Sequence, residues 1–354
     1  FPTIKYCLSQ GASIVLMSHL GRPGGKHDPY LSLQPVQNEL EILLNKDVFF
    51  SSDCISEKSI NQSLDLFPGE IHLLENLRFY PGEESNDLSF AEKLANHGEI
   101  FINDAFGTAH RKHASNVGIL NYFQEKGFGF LCKKELKFLK QKLETPERPY
   151  SVILGGAKVA GKIELIQNLI LKADNILIGG AMANPFLKAM GISTGSAKNE
   201  KQSIDISESL IKLAEKTNTK IVLPLDVIAV KSLKKKSPWN VKTVEKLNKN
   251  EFGVDIGPET CALFSSILQE SKTVFWNGPV GIAEIPDYSI GTQALAATLK
   301  MINQEGATTI VGGGDTASVM ISSGLDENFS HISTGGGASI HLLTDKNLPA
   351  FTGK

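Results

Sequence analysis

The sequence predicts an α/β protein built from two doubly wound, three-layer α/β/α domains with parallel sheets, joined by a helix. Three observations carry that expectation. Short apolar runs of β character alternate with amphipathic helical stretches along the whole chain, the pattern of repeated βαβ units. In the second half these runs end repeatedly in glycine turns. At 354 residues the chain also exceeds what one ordinary core organises. The remaining composition narrows the class. Hydrophobic content of 41% and charged content of 21% are those of a soluble globular protein. A net charge of −2 argues against nucleic acid or an anionic membrane as the main partner. No run approaches a membrane span, and the start FPTIKYCLSQ is not a signal peptide. Cys7, Cys54, Cys132 and Cys261 are scattered without C-x-x-C spacing, so free thiols in the cytoplasm are expected.

Taken in order, a helix over Pro2 to Ser9 opens the chain, with proline in its first turn. The strand Ser13 to Met17 runs into Ser18-His19-Leu20-Gly21-Arg22-Pro23. A doubly wound unit normally opens on a strand, so a first strand is expected to be missing upstream. Gln34 to Leu44 reads as a helix, Asp47 to Ser51 as a strand, and Ile55 to Leu64 as a helix. Strand Ile71 to Leu74 leads to Glu75-Asn76-Leu77-Arg78, and helix Phe90 to Asn96 follows. Strand Ile100 to Asn103 ends in a loop holding His110, Arg111 and His113.

Only four of the 36 basic residues are arginine: Arg22, Arg78, Arg111 and Arg148. A chain that favours lysine so heavily keeps arginine where a planar, bidentate fork is needed. The first three lie just past strand ends, which share one edge in a parallel sheet. Arg22, Arg78, Arg111 and His19 are therefore expected to converge on a small phosphate- or carboxylate-bearing anion. Arg148, in a helix-ending turn, reads as structural. His110 and His113 have a metal-compatible spacing, but no nearby carboxylate or thiolate completes a site.

The lysine-rich stretch Lys133 to Glu144 has apolar residues at helical spacing and is the candidate connector. Beyond it lies SVILGGAKVAGKIELI, residues 151–166, where strand, glycine turn and helix start offer unpaired N–H groups to an anion, with Lys158 and Lys162 on the first turns. This nearly matches a Walker A loop, but Ile163 stands where a Ser or Thr would meet Mg²⁺. Further apolar runs meet Gly179-Gly180, Gly278, Gly312-Gly313-Gly314 and Gly335-Gly336-Gly337. Glycines there let backbone N–H groups approach phosphate oxygens. Asp315 suits Mg²⁺ carried by phosphates, or equally an N-cap; Glu284 could accept ribose hydroxyls. The lysine-rich segment from Lys231 to Asn250 reads as a solvated excursion.

SHLGRP, LLENLRF, INDAFGTAHR, ILGGAKV, WNGPVG, GGGDTA and STGGGAS, in this order, resemble 3-phosphoglycerate kinase over essentially the whole chain. The resemblance implies a glycerate-binding domain over residues 1–132, a connecting helix over 133–148, a nucleotide-binding domain over 149–340, and a segment 341–354 returning to the first domain. It implies reversible transfer of the acyl phosphate of 1,3-bisphosphoglycerate to Mg-ADP, giving 3-phosphoglycerate and ATP in glycolysis, by a hinge-bending cytoplasmic monomer. His19, Leu20, Gly21, Arg22, Arg78 and Arg111 would bind the glycerate. Lys162, Gly180, Gly253, Gly278, Glu284, Gly313, Gly314, Asp315 and Thr316 would hold the nucleotide, with Asp315 on Mg²⁺. Lys158, Arg22, Gly335, Gly336 and Gly337 would serve the transferring phosphoryl group.

The chain departs from the family pattern in places. The opening strand and loop, with an Asp, an Asn and an Arg of the glycerate site, are absent, so residues 1–354 alone are expected to be inactive or poorly folded. Gly161, Ala181 and Ala283 replace a usual acidic residue, glycine and phenylalanine. A P-loop-like NTPase and a non-catalytic nucleotide-binding module are the competing readings.

Overall fold

The first 136 residues form five short parallel strands, divided between two sheets. β1 (Ile14–Leu16), β2 (Val48–Ser51) and β3 (Ile71–Leu74) pair in the order β1-β3-β2, with Ile71 opposite both Ile14 and Val48. β4 (Ile100–Asn103) and β5 (Glu125–Phe128) form a separate parallel pair. This corrects the expectation that the three arginine-bearing strands share one sheet edge. β5 also escaped the sequence reading, because EKGF has neither alternation nor an apolar run. The two sheets nonetheless share a core: Val15 and Met17 of the β1 segment pack on the cluster of Leu74, Phe90, Leu94, Phe101 and Ile119.

Around these strands lie α1 (Pro2–Ser9), α2 (Gln34–Leu44), α3 (Glu57–Leu64), α4 (Pro81–Ser85), α5 (Leu88–Ala95) and α6 (Phe130–Glu135). Local chemistry sets their starts: Ser56 Oγ accepts the Ser59 N–H at 3.3 Å and Asp87 Oδ1 accepts the Phe90 N–H at 2.8 Å. A buried polar chain crosses the interior. Ser63 Oγ lies 2.7 Å from His72 Nδ1 and 2.6 Å from His97 Nδ1, and His97 Nε2 donates to Cys54 O at 2.9 Å.

This computed structural model describes residues 1–352 apart from 157, 158, 198, 199, 235, 236, 345 and the side chain of Ala160. It divides into two units, Phe1–Leu136 with Asn347–Lys354, and Lys137–Lys346. The segment expected as one connecting helix is α6 followed by a π-helical stretch, Leu136–Lys142. After residue 346 the chain packs within the first unit: Ala350 N–H donates to Ala109 O at 3.2 Å, and the Phe351 ring meets that of Phe128 at 4.4 Å.

The second unit centres on a six-stranded parallel sheet. Its strands are β6 (Tyr150–Leu154), β7 (Asn175–Ile178), β8 (Lys220–Val222), β12 (Thr273–Asn277), β13 (Thr308–Gly312) and β14 (His331–Ile332). Their order is β14-β13-β12-β6-β7-β8, so the winding reverses between β6 and β12. Both of those strands are buried at all five positions, as a sheet covered on both faces requires. Trp276, Phe264, Leu268, Ile153 and Leu299 form the centre of the core.

Helices α7 (Ile163–Ile170), α8 (Ala183–Ala189), α9 (Lys201–Thr217), α10 (Pro258–Gln269), α11 (Ile290–Gln304), α12 (Gly314–Ser322) and α13 (Gly337–Leu343) surround this sheet. A second, antiparallel sheet has the order β10-β9-β11, from β9 (Asp226–Val230), β10 (Trp239–Thr243) and β11 (Phe252–Ile256). The lysine-rich segment is therefore more than a solvated excursion. It contributes an edge strand whose Trp239, Asn240 and Val241 face solvent, and that exposure hid the strand pattern. The four cysteines are free thiols. Among the described residues no helix is long and apolar enough to cross a membrane.

Candidate functional site

In the first unit, Arg78, His19, Arg111 and Arg22 come together although their strands lie in two sheets. Arg78 follows β3 on a short 3₁₀ turn capped by Asn76, whose Oδ1 accepts the Arg78 N–H at 3.0 Å. Asn76 Nδ2 also donates to Leu20 O at 2.7 Å and Leu31 O at 2.9 Å, tying this turn to the loop after β1. Glu75 does the same with its carboxylate, accepting from Leu33 N at 2.8 Å and Ser32 Oγ at 2.7 Å. Arg78 is only 5% exposed and donates from Nη1 to Gly21 O at 2.8 Å. Glu84 lies 3.4 Å from Arg78 Nε, too poorly aligned for a hydrogen bond.

The cations press on one another. Burial first, then Arg111, pushes the Arg78 guanidinium below its ordinary pKa, with Arg22 adding to this and Glu84 and Glu83 opposing it. Burial and then Arg78 lower the His19 imidazole, with smaller effects from His113 and Arg111. Arg22, Leu20 and Gly21 are exposed, and Arg111 is half-buried. Glu75 and Asn76, which organise the loops, were missed in the sequence. Their signal was present: two polar residues directly after a strand ending in Leu73-Leu74 rarely sit there without backbone partners.

In the second unit the glycine turns gather at the carboxyl ends of β6 and β12, where the winding reverses. Ligands of open α/β sheets sit in that crevice. Gly155 N–H donates to Asn277 O at 3.0 Å and Gly156 N–H to Pro279 O at 2.9 Å. The two turns interlock so closely that a Cβ on Gly278 (φ +99°) would stand 2.2 Å from Gly155 O. Thr316 is fully buried, and its hydroxyl accepts the Gly278 N–H at 2.7 Å.

Lys162 does not ride on a helix as expected. It closes a 3₁₀ turn, Ala160–Lys162, and α7 starts one residue later. Gly161 just before it is a poor helix former, consistent with the late start. The ammonium folds back, donating to Gly155 O at 3.1 Å and Asn277 O at 3.4 Å. Burial lowers its pKa to about 8, while Asp315 pulls in the other direction. Asp315 is exposed in the first turn of α12, which Gly313 caps at φ +92° and Gly314 opens.

Gly180 and Gly253 line a small cleft with Asn184, Leu187, Pro224 and Asp255. Burial raises the Asp255 carboxyl to about 7, against the N–H groups of Gly291 and Ile256. Glu284 is exposed in the loop after β12. Gly335 is buried and donates to Ser333 Oγ at 3.2 Å; Gly336, at φ +51°, precedes Gly337 at the start of α13. Lys158 lies outside the described residues. Arg148 pairs with Asp174 and donates to Lys172 O at 3.0 Å, a structural tie. Among the described residues no group of three metal-binding side chains gathers, at His110 and His113 or elsewhere.

Known proteins resemble this chain in sequence and in fold. The family model described as phosphoglycerate kinase matches residues 1–346. A phosphoglycerate kinase of Chlorobium phaeovibrioides is 46% identical over 350 residues, covering 99% of this chain and 88% of the relative. That of Dictyoglomus turgidum is 44% identical over 348 residues, covering 98% and 87%. The solved phosphoglycerate kinase of Coxiella burnetii superposes with a TM-score of 0.90 at 37% identity, over 99% of this chain and 88% of that one. The enzyme of Pyrococcus horikoshii does so at 0.84 and 29%, over 100% and 89%. With a family match over nearly its whole length and relatives this similar, the chain belongs to the phosphoglycerate kinase family.

Proposed function

We infer that the chain is an ATP:3-phosphoglycerate 1-phosphotransferase, moving a phosphoryl group reversibly between 1,3-bisphosphoglycerate and ADP in glycolysis. The mutually repelling cation cluster of the first unit carries this reading. A buried guanidinium whose pKa is lowered by burial and by a second guanidinium is relieved by a multiply charged anion, and a phosphoglycerate supplies one. In this reading His19, Leu20, Gly21, Arg22, Arg78 and Arg111 bind the glycerate.

Lys162, Gly313, Gly314 and Asp315 take the nucleotide phosphates, with Thr316 and Gly278 supporting from beneath. Gly180 and Gly253 border the base and Glu284 accepts from the ribose. Lys158, Arg22 and Gly335 to Gly337 are assigned to the transferring group. Transfer consists of attack by a β-phosphate oxygen of ADP on the acyl phosphorus, with the carboxylate of 3-phosphoglycerate leaving. The protein's part is to position and to neutralise charge, with no covalent intermediate.

Mg²⁺ fits the residues present. Asp315 is exposed beside Lys162, and Mg²⁺ commonly takes one or two carboxylates with phosphate oxygens and waters. Asp315 would hold it, and when bound it would supply positive charge that offsets that of the nucleotide phosphates. We further propose a monomer of the cytoplasm, which its free thiols suit, with residues 133–148 linking a glycerate domain (1–132) to a nucleotide domain (149–340) and 341–354 returning to the first. Ligands divided this way require a closure step before transfer, which also excludes water from the acyl phosphate.

A coupled assay with ATP and 3-phosphoglycerate, run on the full-length gene product, tests the reading: turnover is expected only when both are present. Phosphate release without glycerate would point to a nucleotide hydrolase, and nucleotide binding without transfer to a binding module.

A further inference from the structure

Two carboxylates stand among the cations of the first unit, and the phosphoryl-transfer chemistry uses neither. Both come from α4, a single turn that starts three residues after Arg78. Pro81 at its first position presets the backbone, and Gly82 lets the turn sit hard against α5: a Cβ there would lie 2.8 Å from that of Phe90. So pinned, α4 sends Glu83 inward, where it is 3% exposed, and leaves Glu84 beside Arg78.

The Glu83 carboxylate is directed at one segment, the residues just after Arg111. Its Oε2 accepts the Ser115 N–H at 3.0 Å and its Oε1 the Ser115 hydroxyl at 2.6 Å. Oε1 also stands 3.6 Å from His113 Nδ1, and the Glu83 carbonyl accepts the Ala114 N–H at 2.9 Å. The carboxylate is thus held on several sides and is not placed to swing out and compete with a bound anion.

The other two arginine loops are fastened to each other without it. Leu77 N–H donates to Ser18 O at 3.1 Å, Gly25 N–H to Arg78 O at 3.2 Å, and Arg78 Nη1 to Gly21 O. Arg111 follows β4, whose ladder runs to β5 and not to β1 or β3, so no strand pairing sets its distance from Arg22 and Arg78. Repulsion acts against that approach as well, since Arg111 depresses the Arg78 pKa while Glu83 opposes the effect.

We propose that Glu83 is a positioning residue of the glycerate site, setting where the Arg111 guanidinium stands relative to Arg78 and Arg22. It does so by clamping residues 113–115 to α4 and by placing a fixed negative charge among the cations. The proposal rests on the reading that this cluster binds the glycerate anion.

Glu83→Gln in the full chain tests it, since glutamine keeps the shape but loses the charge and one acceptor. The Kd and KM for 3-phosphoglycerate are expected to rise about tenfold, as for loss of one charge-assisted contact, with the KM for ATP unchanged. Ser115→Ala removes one partner without touching the charge and should shift the same constants in the same direction, less strongly. It also carries the test if Glu83→Gln fails to fold. In an Arg111→Lys background the Glu83→Gln effect should shrink, because the two act through one guanidinium.

Glycerate constants within about twofold of the parent would overturn the proposal. So would equal losses for both substrates, the mark of a merely structural residue, or fully additive penalties. If the parent binds ADP but no 3-phosphoglycerate, the anion-site reading fails and the proposal falls with it. If the parent binds both and Glu83→Gln binds both equally well, only the positioning role is lost.

Discussion

The arginine-bearing end of the first unit and the glycine-bearing end of the second both present positive potential to anions, but they are built from opposite materials. The first uses long side chains, and therefore needs other side chains to hold them: Asn76, Glu75 and Glu83 each fasten one loop to another. The second uses main-chain turns seated on a continuous buried sheet, with Gly155 and Gly278 in contact and Thr316 bonded to the turn from below. A side-chain site should lose affinity by degrees when altered, whereas a backbone site should lose its fold.

The sharpest break of that comparison is Gly278→Ala. With φ at +99° and a new Cβ 2.2 Å from Gly155 O, the backbone must move. A loss of about 3 kcal/mol or more is expected by chemical denaturation. Gly314→Ala, with nothing within 4 Å of the added atom, serves as the control. Its stability should stay within about 1 kcal/mol of the parent while nucleotide affinity falls. Equal stability losses in the two variants would remove the distinction.

Next in size is Arg22→Lys on the side-chain end. Losing the bidentate fork should raise the KM for 3-phosphoglycerate by about 10- to 100-fold and leave that for ATP alone. An unchanged glycerate KM would refute the argument from scarce arginines.

Acid should act on the first unit. Burial takes His72 down to about 4, so the folded state leaves it neutral while the unfolded chain protonates near 6.5, and burial also holds His97 below its ordinary pKa. Stability is then full above pH 6.5 and falls as pH drops from there toward 4, by about 3 kcal/mol from His72. His72→Gln should flatten that fall in urea titrations at successive pH values; a fall of unchanged depth would assign it to other groups.

The smallest effect concerns Lys162, whose ammonium burial lowers to about 8. A phosphate beside it favours the charged form, so ADP binding near pH 8 should take up a fraction of a proton, seen as buffer-dependent heats in calorimetry. The affinity should weaken a few-fold above that pH. Lys162→Met should abolish both effects.

How much of this was legible beforehand follows from the kind of signal each feature leaves. The strands of the six-stranded sheet announced themselves, because a sheet covered on both faces buries every position and so favours apolar runs, as in residues 152–154 and 274–276. β5 and β10 left no such trace: one is EKGF and the other faces solvent at most positions. The arginines and glycine turns were visible as residue types. Glu83 was not, since in a run reading PGEES it resembles any first-turn carboxylate.

The sequence by itself determined the alternating α/β pattern, the family and the residue types available for phosphate, because periodicity, glycine turns and scarce arginines are properties of the chain in order. Only the tertiary structure decided that the arginine-bearing strands lie in two sheets and yet meet, that Lys162 folds back on the strand ends, and that Glu83 grips the segment beyond Arg111. Those outcomes depend on pairings between residues far apart in the chain, and burial and geometry choose among such pairings only once the whole unit has packed.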